Sequence, residues 1–262
     1  MRPVLFHLGS LDVPSFFLAV TVGALLATFF GARVARKEGA DEIAMLDFGI
    51  IAIIAGVIGA RIFHIMVEEP MYYIDKPIRV FYFWQGGFVS LGAYIASLTG
   101  WLIYMKVKGL EKWRYLDIAV TAVPIIIFFV RIGCLLAGCC WGKPCDLPWA
   151  ITFHNASSVV YSKVNNLPVH PTQVYNMINA LIMWGVVWFS YKHRKFYGQV
   201  LCTFFIYYGI TRFFIEFLRG DADRGLYFNN MVSTGQIVMI LSFLTGIVLW
   251  LILRKKEKIF VL

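Results

Sequence analysis

The sequence predicts an all-α integral membrane protein of about seven transmembrane helices carrying a small extracytoplasmic head segment. Three observations predict it. Of its 262 residues, 60% are hydrophobic, against roughly 45–50% in a soluble globular chain, and its mean hydropathy is +0.72. The apolar residues gather into runs of the length that crosses a bilayer, about 20 residues. The charged residues fall mainly between those runs.

The runs lie at about 12–32, 43–66, 88–105, 116–138, 172–190, 198–217 and 231–252. The opening "MRPVLFHLGSLDVPS" has no continuous apolar core before Pro14, so it does not read as a cleavable leader and the first span is expected to be retained. Residues 1–262 read as a single polytopic domain, with the head inserted at about 141–171. In that insertion "WAITFH", the turn formers Asn155 and Ser157, and "VVYSKV" predict a small hairpin or compact head. The aromatic residues Tyr72, Tyr73, Phe81, Tyr82 and Trp84 are expected to form an interfacial belt.

A formal net charge of +9 raises the possibility of a nucleic-acid partner, but the basic residues follow membrane topology instead. Fourteen of them occupy the connections after the first, third and fifth runs and the carboxyl tail. Seven are spread over the amino terminus and the longer connections after the second, fourth and sixth. The positive-inside rule then predicts the amino terminus outside and the carboxyl terminus in the cytoplasm. No nucleic acid is expected as a partner.

Three arginines remain within or at the ends of apolar runs: Arg61, Arg131 and Arg212. A guanidinium at membrane depth costs about 2.5 kcal/mol or more, so it faces the protein interior and meets an anion, a packing partner or the interface. Glu216 lies four residues after Arg212 and shares its helix face. Arg131 has no acidic residue within a helical turn; its nearest in sequence are Asp117 and Asp146. Its counter-ion comes from elsewhere in the fold or from a ligand, and a planar fork of donors suits a phospholipid phosphate. Gly86 and Gly87 just before the third run and Gly92 within it, with Gly138 and Gly142 beyond Arg131, permit close backbone approach to a headgroup or to a neighbouring helix.

The stretch "CLLAGCCWGKPC" adds Cys134, Cys139, Cys140 and Cys145. A disulfide involving Cys145, small polarisable packing side chains, and a low-pKa nucleophile at Cys139 or Cys140 are each open readings. A metal centre is not expected. Adjacent ligands at 139 and 140 strain a common tetrahedral site, which favours separated pairs.

Five segments, "GGFVSLGA", "VRIGCLLAGCCWGKP", "DLPWAITF", "HPTQVYN" and "YGITRFFIEFLRGD", fall in order along about 140 residues. Together they resemble the prolipoprotein diacylglyceryl transferase family. The resemblance implies an enzyme that needs no cofactor. It would take a diacylglyceryl group from the membrane lipid phosphatidylglycerol and place it on the lipobox cysteine thiol of a secreted lipoprotein precursor, in the bacterial cytoplasmic (inner) membrane. It places the family's arginines on Arg131 and Arg212, with Tyr208 and Glu216 as companions, and the glycine of its tryptophan–glycine pair on Gly142. His170 of "HPTQ" is the best titratable candidate for catalysis, with loop bracing as its alternative role. Arg61, Ser90 and Gln173, with the glycines above, complete the candidate substrate-binding set.

This chain departs from the family pattern at Cys134 and Cys139, where many members have asparagine and glutamate, and at Leu91, where members have histidine or tyrosine. The tyrosine expected early in the first span is replaced by the neighbourhood of Ser15, Phe16 and Phe17. These positions keep two alternatives open. One is a divergent paralogue that uses an anionic phospholipid with another acceptor; the other is a non-enzymatic lipid-binding or thiol-redox membrane protein.

Overall fold

A computed structural model describes residues 2–8, 11–82, 87–154, 159–164, 166–221, 225–227 and 232–260. Seven long helices lie on the seven predicted runs: α1 Ser15–Lys37, α2 Glu42–Phe63, α4 Ser90–Lys108, α5 Lys112–Ala137, α7 Thr172–Lys192, α8 Gln199–Glu216 and α9 Thr234–Phe260. Two short helices, α3 Pro70–Ile74 and α6 Val159–Val164, lie in the connections. Four segments, Ser15–Lys37, Glu42–Glu68, Lys112–Ala137 and Thr234–Lys256, are both long and apolar enough to cross a membrane. The fold is that of an all-α membrane protein. The first run begins later than its hydropathy indicates, because β1 (Val4–Leu8) and β2 (Leu11–Pro14) pair antiparallel before Ser15 opens α1.

The chain divides into two compact units, residues 31–115 and residues 1–30 with 116–262. Within the smaller unit, α2 and α4 pack through glycine. A Cβ on Gly92 would meet the Gly59 carbonyl oxygen at 2.3 Å and the Phe63 Cβ at 2.4 Å, and one on Gly59 would meet the Ala96 Cβ at 2.2 Å. In lipid the gain from such a crossing is close van der Waals contact rather than exclusion of water. Two polar contacts fix its register: Ser97 donates to the Ala52 carbonyl (2.9 Å) and Tyr104 to the Asp47 carboxylate (2.6 Å).

Within the larger unit, a Cβ on Gly209 of α8 would meet the Met239 carbonyl oxygen of α9 at 2.8 Å, and one on Gly246 of α9 would meet Ile206 at 2.9 Å. Asn179 of α7 donates to Thr211 and accepts from Tyr207, both on α8. Asp117, fully buried near the start of α5, accepts the N–H groups of Gly198 (2.8 Å) and Leu201 (3.0 Å). It therefore caps the amino terminus of α8, where free N–H groups and the helix dipole favour a carboxylate.

The head has its own small core of Trp141, Phe153, Val160, Val164 and Val169, with Ile151 packed against it. Of the two expected arrangements, the described residues form the compact head and not the hairpin. "VVYSKV" is helix α6, because Val160 and Val164 stand four residues apart and both turn into this core. Ile151 instead bridges Val169. Asn155 and Ser157 lie outside the described residues.

Gly92→Ala should destabilise the protein by about 1–3 kcal/mol, the cost of overpacking. Gly185→Ala in α7, where a Cβ would have nothing within 4 Å, should be neutral or stabilising by about 0.5–1 kcal/mol. Thermal unfolding of both variants in detergent tests the contrast; equal midpoints would remove the packing role of Gly92.

Candidate functional site

The carboxyl end of α5 carries Arg131 and then reverses direction. Gly138 (φ +71°) is the left-handed residue that closes the helix, and Cys139 N–H returns to the Cys134 carbonyl at 3.0 Å, the pattern of a Schellman closure. Cys140 is also left-handed, at φ +58°, which costs a non-glycine residue about 1–2 kcal/mol. Two side chains at the start of α7 hold this turn. Thr172 donates to the Cys140 carbonyl (2.6 Å) and Gln173 Nε2 to the Cys139 carbonyl (2.7 Å). The "HPTQ" segment is thus a clamp on the turn after Arg131.

The chain then runs between two others. Gly142 N–H donates to the His170 carbonyl (3.1 Å) and His170 N–H to the Lys143 carbonyl (3.0 Å) on one side. On the other, Lys143 N–H donates to the Leu218 carbonyl (2.8 Å) and Gly220 N–H to the Trp141 carbonyl (3.0 Å). Glycine is needed at both crossings. A Cβ on Gly142 would meet the His170 Cβ at 2.4 Å, and one on Gly220 would meet the Gly142 carbonyl oxygen at 2.5 Å.

This lattice draws the end of α8 towards the turn. Arg212, 7% exposed, pairs with the 2%-exposed Glu216 at 2.7 Å. Glu216 also meets Arg219 (3.6 Å) and accepts from the Ser233 hydroxyl (3.2 Å). Arg219 in turn pairs with Asp221. Ser233 begins a reciprocal cap on α9: its hydroxyl accepts from Gln236 N–H (3.2 Å), and Gln236 Oε1 accepts from Ser233 N–H (2.9 Å). The Glu216 carboxylate therefore lies at the positive end of α9, where a Cβ on Gly235 would meet it at 3.1 Å. Arg131, Tyr208 and Arg219 all lie within electrostatic reach of Arg212. Tyr208 is stacked on Phe204, 5.6 Å between ring centroids.

The cysteines of the turn are all free thiols. Contrary to the expectation from spacing, the thiols of Cys134, Cys139 and Cys140 lie within 4.8 Å of one another. The left-handed turn at Gly138 and Cys140 brings adjacent residues onto one side. Hydrogen bonding from Cys134 and then Cys139 lowers the Cys140 thiol, with Arg131 and Arg219 behind it and burial opposing. Hydrogen bonding to Cys134 and Cys140, reinforced by burial, raises the Cys139 thiol. Cys145 is held apart by its backbone, which donates to the Pro168 carbonyl (3.0 Å).

The remaining candidates are placed differently. Arg61, 4% exposed, donates to the carbonyls of Arg79 (2.7 Å), Val80 (3.2 Å), Gly87 (3.2 Å) and Tyr82 (3.3 Å), and its guanidinium lies over the Tyr73 ring at 5.2 Å. It fastens residues 79–82 and Gly87 to α2. Tyr73 is buried beneath it rather than in the interfacial belt. Gly87 (φ +78°) lies against Arg61 and His64, and Gly92 serves the helix crossing. Gly86, Trp84 and the Ser90 side chain lie outside the described residues. His170 Nδ1 contacts the Tyr175 hydroxyl (3.2 Å), which accepts from Trp149 Nε1 (2.8 Å), so the imidazole braces the head. Leu91 is 41% exposed at the start of α4.

Sequence reasoning did not single out Arg219, Ser233 or Gln236. The S-x-x-Q spacing at 233–236 was the available signal for the last two. For Arg219 the signal was its spacing, three residues after Glu216 and two before Asp221.

Four helices long and apolar enough to cross a membrane and a buried arginine–glutamate network define a polytopic membrane protein with an ionic site at one set of helix ends. The sequence profile of the family described as prolipoprotein diacylglyceryl transferase matches residues 3–252, and the chain belongs to that family. It is 33% identical over 259 residues to a protein of Clostridium tetani, covering 98% of this chain and 100% of the relative. A protein of Idiomarina loihiensis is 32% identical, covering 97% and 94%, and one of Bordetella avium 29%, covering 97% and 96%. All three are named phosphatidylglycerol–prolipoprotein diacylglyceryl transferase.

Glu216→Ala should cost about 3–5 kcal/mol, because it leaves buried guanidiniums without the carboxylate that holds them. Unfolding in detergent reads the loss, and a shift under 1 kcal/mol would show the network to be dispensable for folding.

Proposed function

We propose that this chain is a phosphatidylglycerol:prolipoprotein diacylglyceryl transferase. It moves the diacylglyceryl group of phosphatidylglycerol onto the lipobox cysteine of a lipoprotein precursor. The observation that carries the reading is the placing of Arg131 and Arg212, on different helices, within electrostatic reach of each other at the head, in a chain matched to the family over residues 3–252.

The chemistry follows from the substrates. The precursor thiol loses its proton, and its sulfur attacks the diacylglyceryl carbon bonded to the phosphate oxygen. A sulfur–carbon bond forms as that carbon–oxygen bond breaks, and glycerol phosphate leaves with the bonding pair. Negative charge therefore grows on the departing phosphate. Arg131 and Arg212 stabilise it as preorganised donors, and Glu216 sets the position of Arg212. Tyr208, one turn before Arg212, borders the same face. A cysteine thiol has some thiolate near neutral pH and is activated further by nearby positive charge. The reaction therefore does not depend on a base at Leu91. His170 supports the head, and Gly138, Gly142 and Gln173 shape the turn that carries Arg131.

An open apolar depression of about 170 Å³ lined by Gly209, Phe213, Met239 and Phe243 lies between α8 and α9 and offers lipid chains an apolar surface. The remaining assignments rest on the sequence: the apolar runs support seven crossings, the charge pattern an amino terminus outside with the head at the outer face to receive the secreted precursor, and the family resemblance the inner membrane.

Purified protein supplied with phosphatidylglycerol and a lipobox peptide should yield a diacylglyceryl adduct on the peptide cysteine by mass spectrometry. Arg131→Lys and Arg212→Lys should each lower the rate about 10²–10³-fold, as loss of an oriented donor does. Full activity in both would overturn the role of the fork; no adduct from folded wild-type protein would favour a different acceptor.

A further inference from the structure

We propose that Cys134, Cys139 and Cys140 form a three-thiolate binding site for a soft closed-shell cation, of which Zn²⁺ and Cu⁺ are the physiological representatives. The proposal does not depend on the transferase reading.

The geometry is the first support. A metal–sulfur bond of about 2.3 Å places three equatorial sulfurs about 4 Å apart in a trigonal site and slightly closer in a tetrahedral one. The three thiols already lie within 4.8 Å of one another, so side-chain rotation brings them to a shared ion. A disulfide would instead need one pair at about 2.05 Å with a fixed torsion, and the five cysteines are free.

The backbone is the second. Cys140 occupies the left-handed region at φ +58°, where glycine or asparagine would fit with less strain. Strain of this kind persists where surrounding structure enforces it and the side chain is used. Here the enforcement is visible: Thr172 and Gln173 hold the carbonyls of Cys140 and Cys139, so the ligand turn is fixed from outside before any ion arrives.

The surroundings are the third. Gln173 is fully buried, and its Oε1 has no hydrogen-bond partner among the described residues; it is a polar acceptor beside the ligand turn. The donor set is all sulfur, which selects thiophilic ions over Mg²⁺ or Ca²⁺. Three ligands leave one position open, the arrangement of an accessible site rather than a closed structural one.

The test uses the full chain, reduced and in detergent. Cd²⁺ is the optical probe, because thiolate coordination gives it an ultraviolet charge-transfer band. One Cd²⁺ per chain should bind saturably and be displaced by Zn²⁺ or Cu⁺, and chelators selective for each will identify which ion purifies with the protein. Cys134→Ser, Cys139→Ser and Cys140→Ser should each weaken binding at least tenfold, whereas Cys145→Ser and Cys202→Ser should not. Should the serine variants misfold, alkylation of the wild-type chain mapped by mass spectrometry decides the matter: bound Zn²⁺ should protect Cys139 and Cys140 and leave Cys145 reactive. Absence of a saturable band, equal dependence on Cys145, or alkylation unchanged by metal would overturn the proposal.

Discussion

The organising constraint is the path of the chain from Trp141 to Cys145 between two other backbones. Its N–H and carbonyl groups are answered by His170 and Pro168 on one side and by Leu218 and Gly220 on the other. Buried main-chain groups must find partners, at a cost of about 1–3 kcal/mol for each left unmet. Satisfying these ties three distant parts of the sequence into one place: the end of α5, the start of α7 and the end of α8. Arg131, the "HPTQ" clamp and the Arg212–Glu216–Arg219 network are neighbours because of it. Gly142 and Gly220 make it possible, since any Cβ at either position would collide with backbone or β-carbon of the adjacent segment.

The ionic network is built as a supported arrangement rather than a pair. Glu216 is almost wholly buried, and two guanidiniums, one hydroxyl and the first turn of α9 hold it. A buried carboxylate stays charged only with such company. The Ser233–Gln236 cap keeps the end of α9 in position, and the packing of Gly209 against α9 holds the two helices close enough for the contacts to reach. An arginine so constrained is held in one orientation, the condition that the proposed electrostatic role would require.

The two compact units use arginine in different ways. Arg61 gives its donors to main-chain carbonyls and its face to an aromatic ring, a use that fastens an irregular segment to a helix. Arg212 is directed at a carboxylate and lies near another guanidinium. Both lie late in an apolar helix, but Arg212 has Glu216 one turn on and Arg61 has no carboxylate there. The partners distinguish a clasp on main-chain carbonyls from a member of an ionic network.

The sequence by itself determined what depends on local composition and period. Runs of apolar residues fixed the membrane class and the positions of seven helices, since a chain in lipid must satisfy its backbone within each segment. The four-residue spacing of Arg212 and Glu216 fixed their pairing, and the ordered motifs fixed the family. The tertiary structure decided whatever depends on chain reversal and on contacts between remote segments. Left-handed residues at Gly138 and Cys140 gathered three thiols that linear spacing kept apart. Thr172 and Gln173 became clamps because the turn after Arg131 offered carbonyls. Val160 and Val164 became helical because a small core needed filling from one face. Each outcome comes from long-range hydrogen bonds and side-chain packing, which no window of neighbouring residues contains.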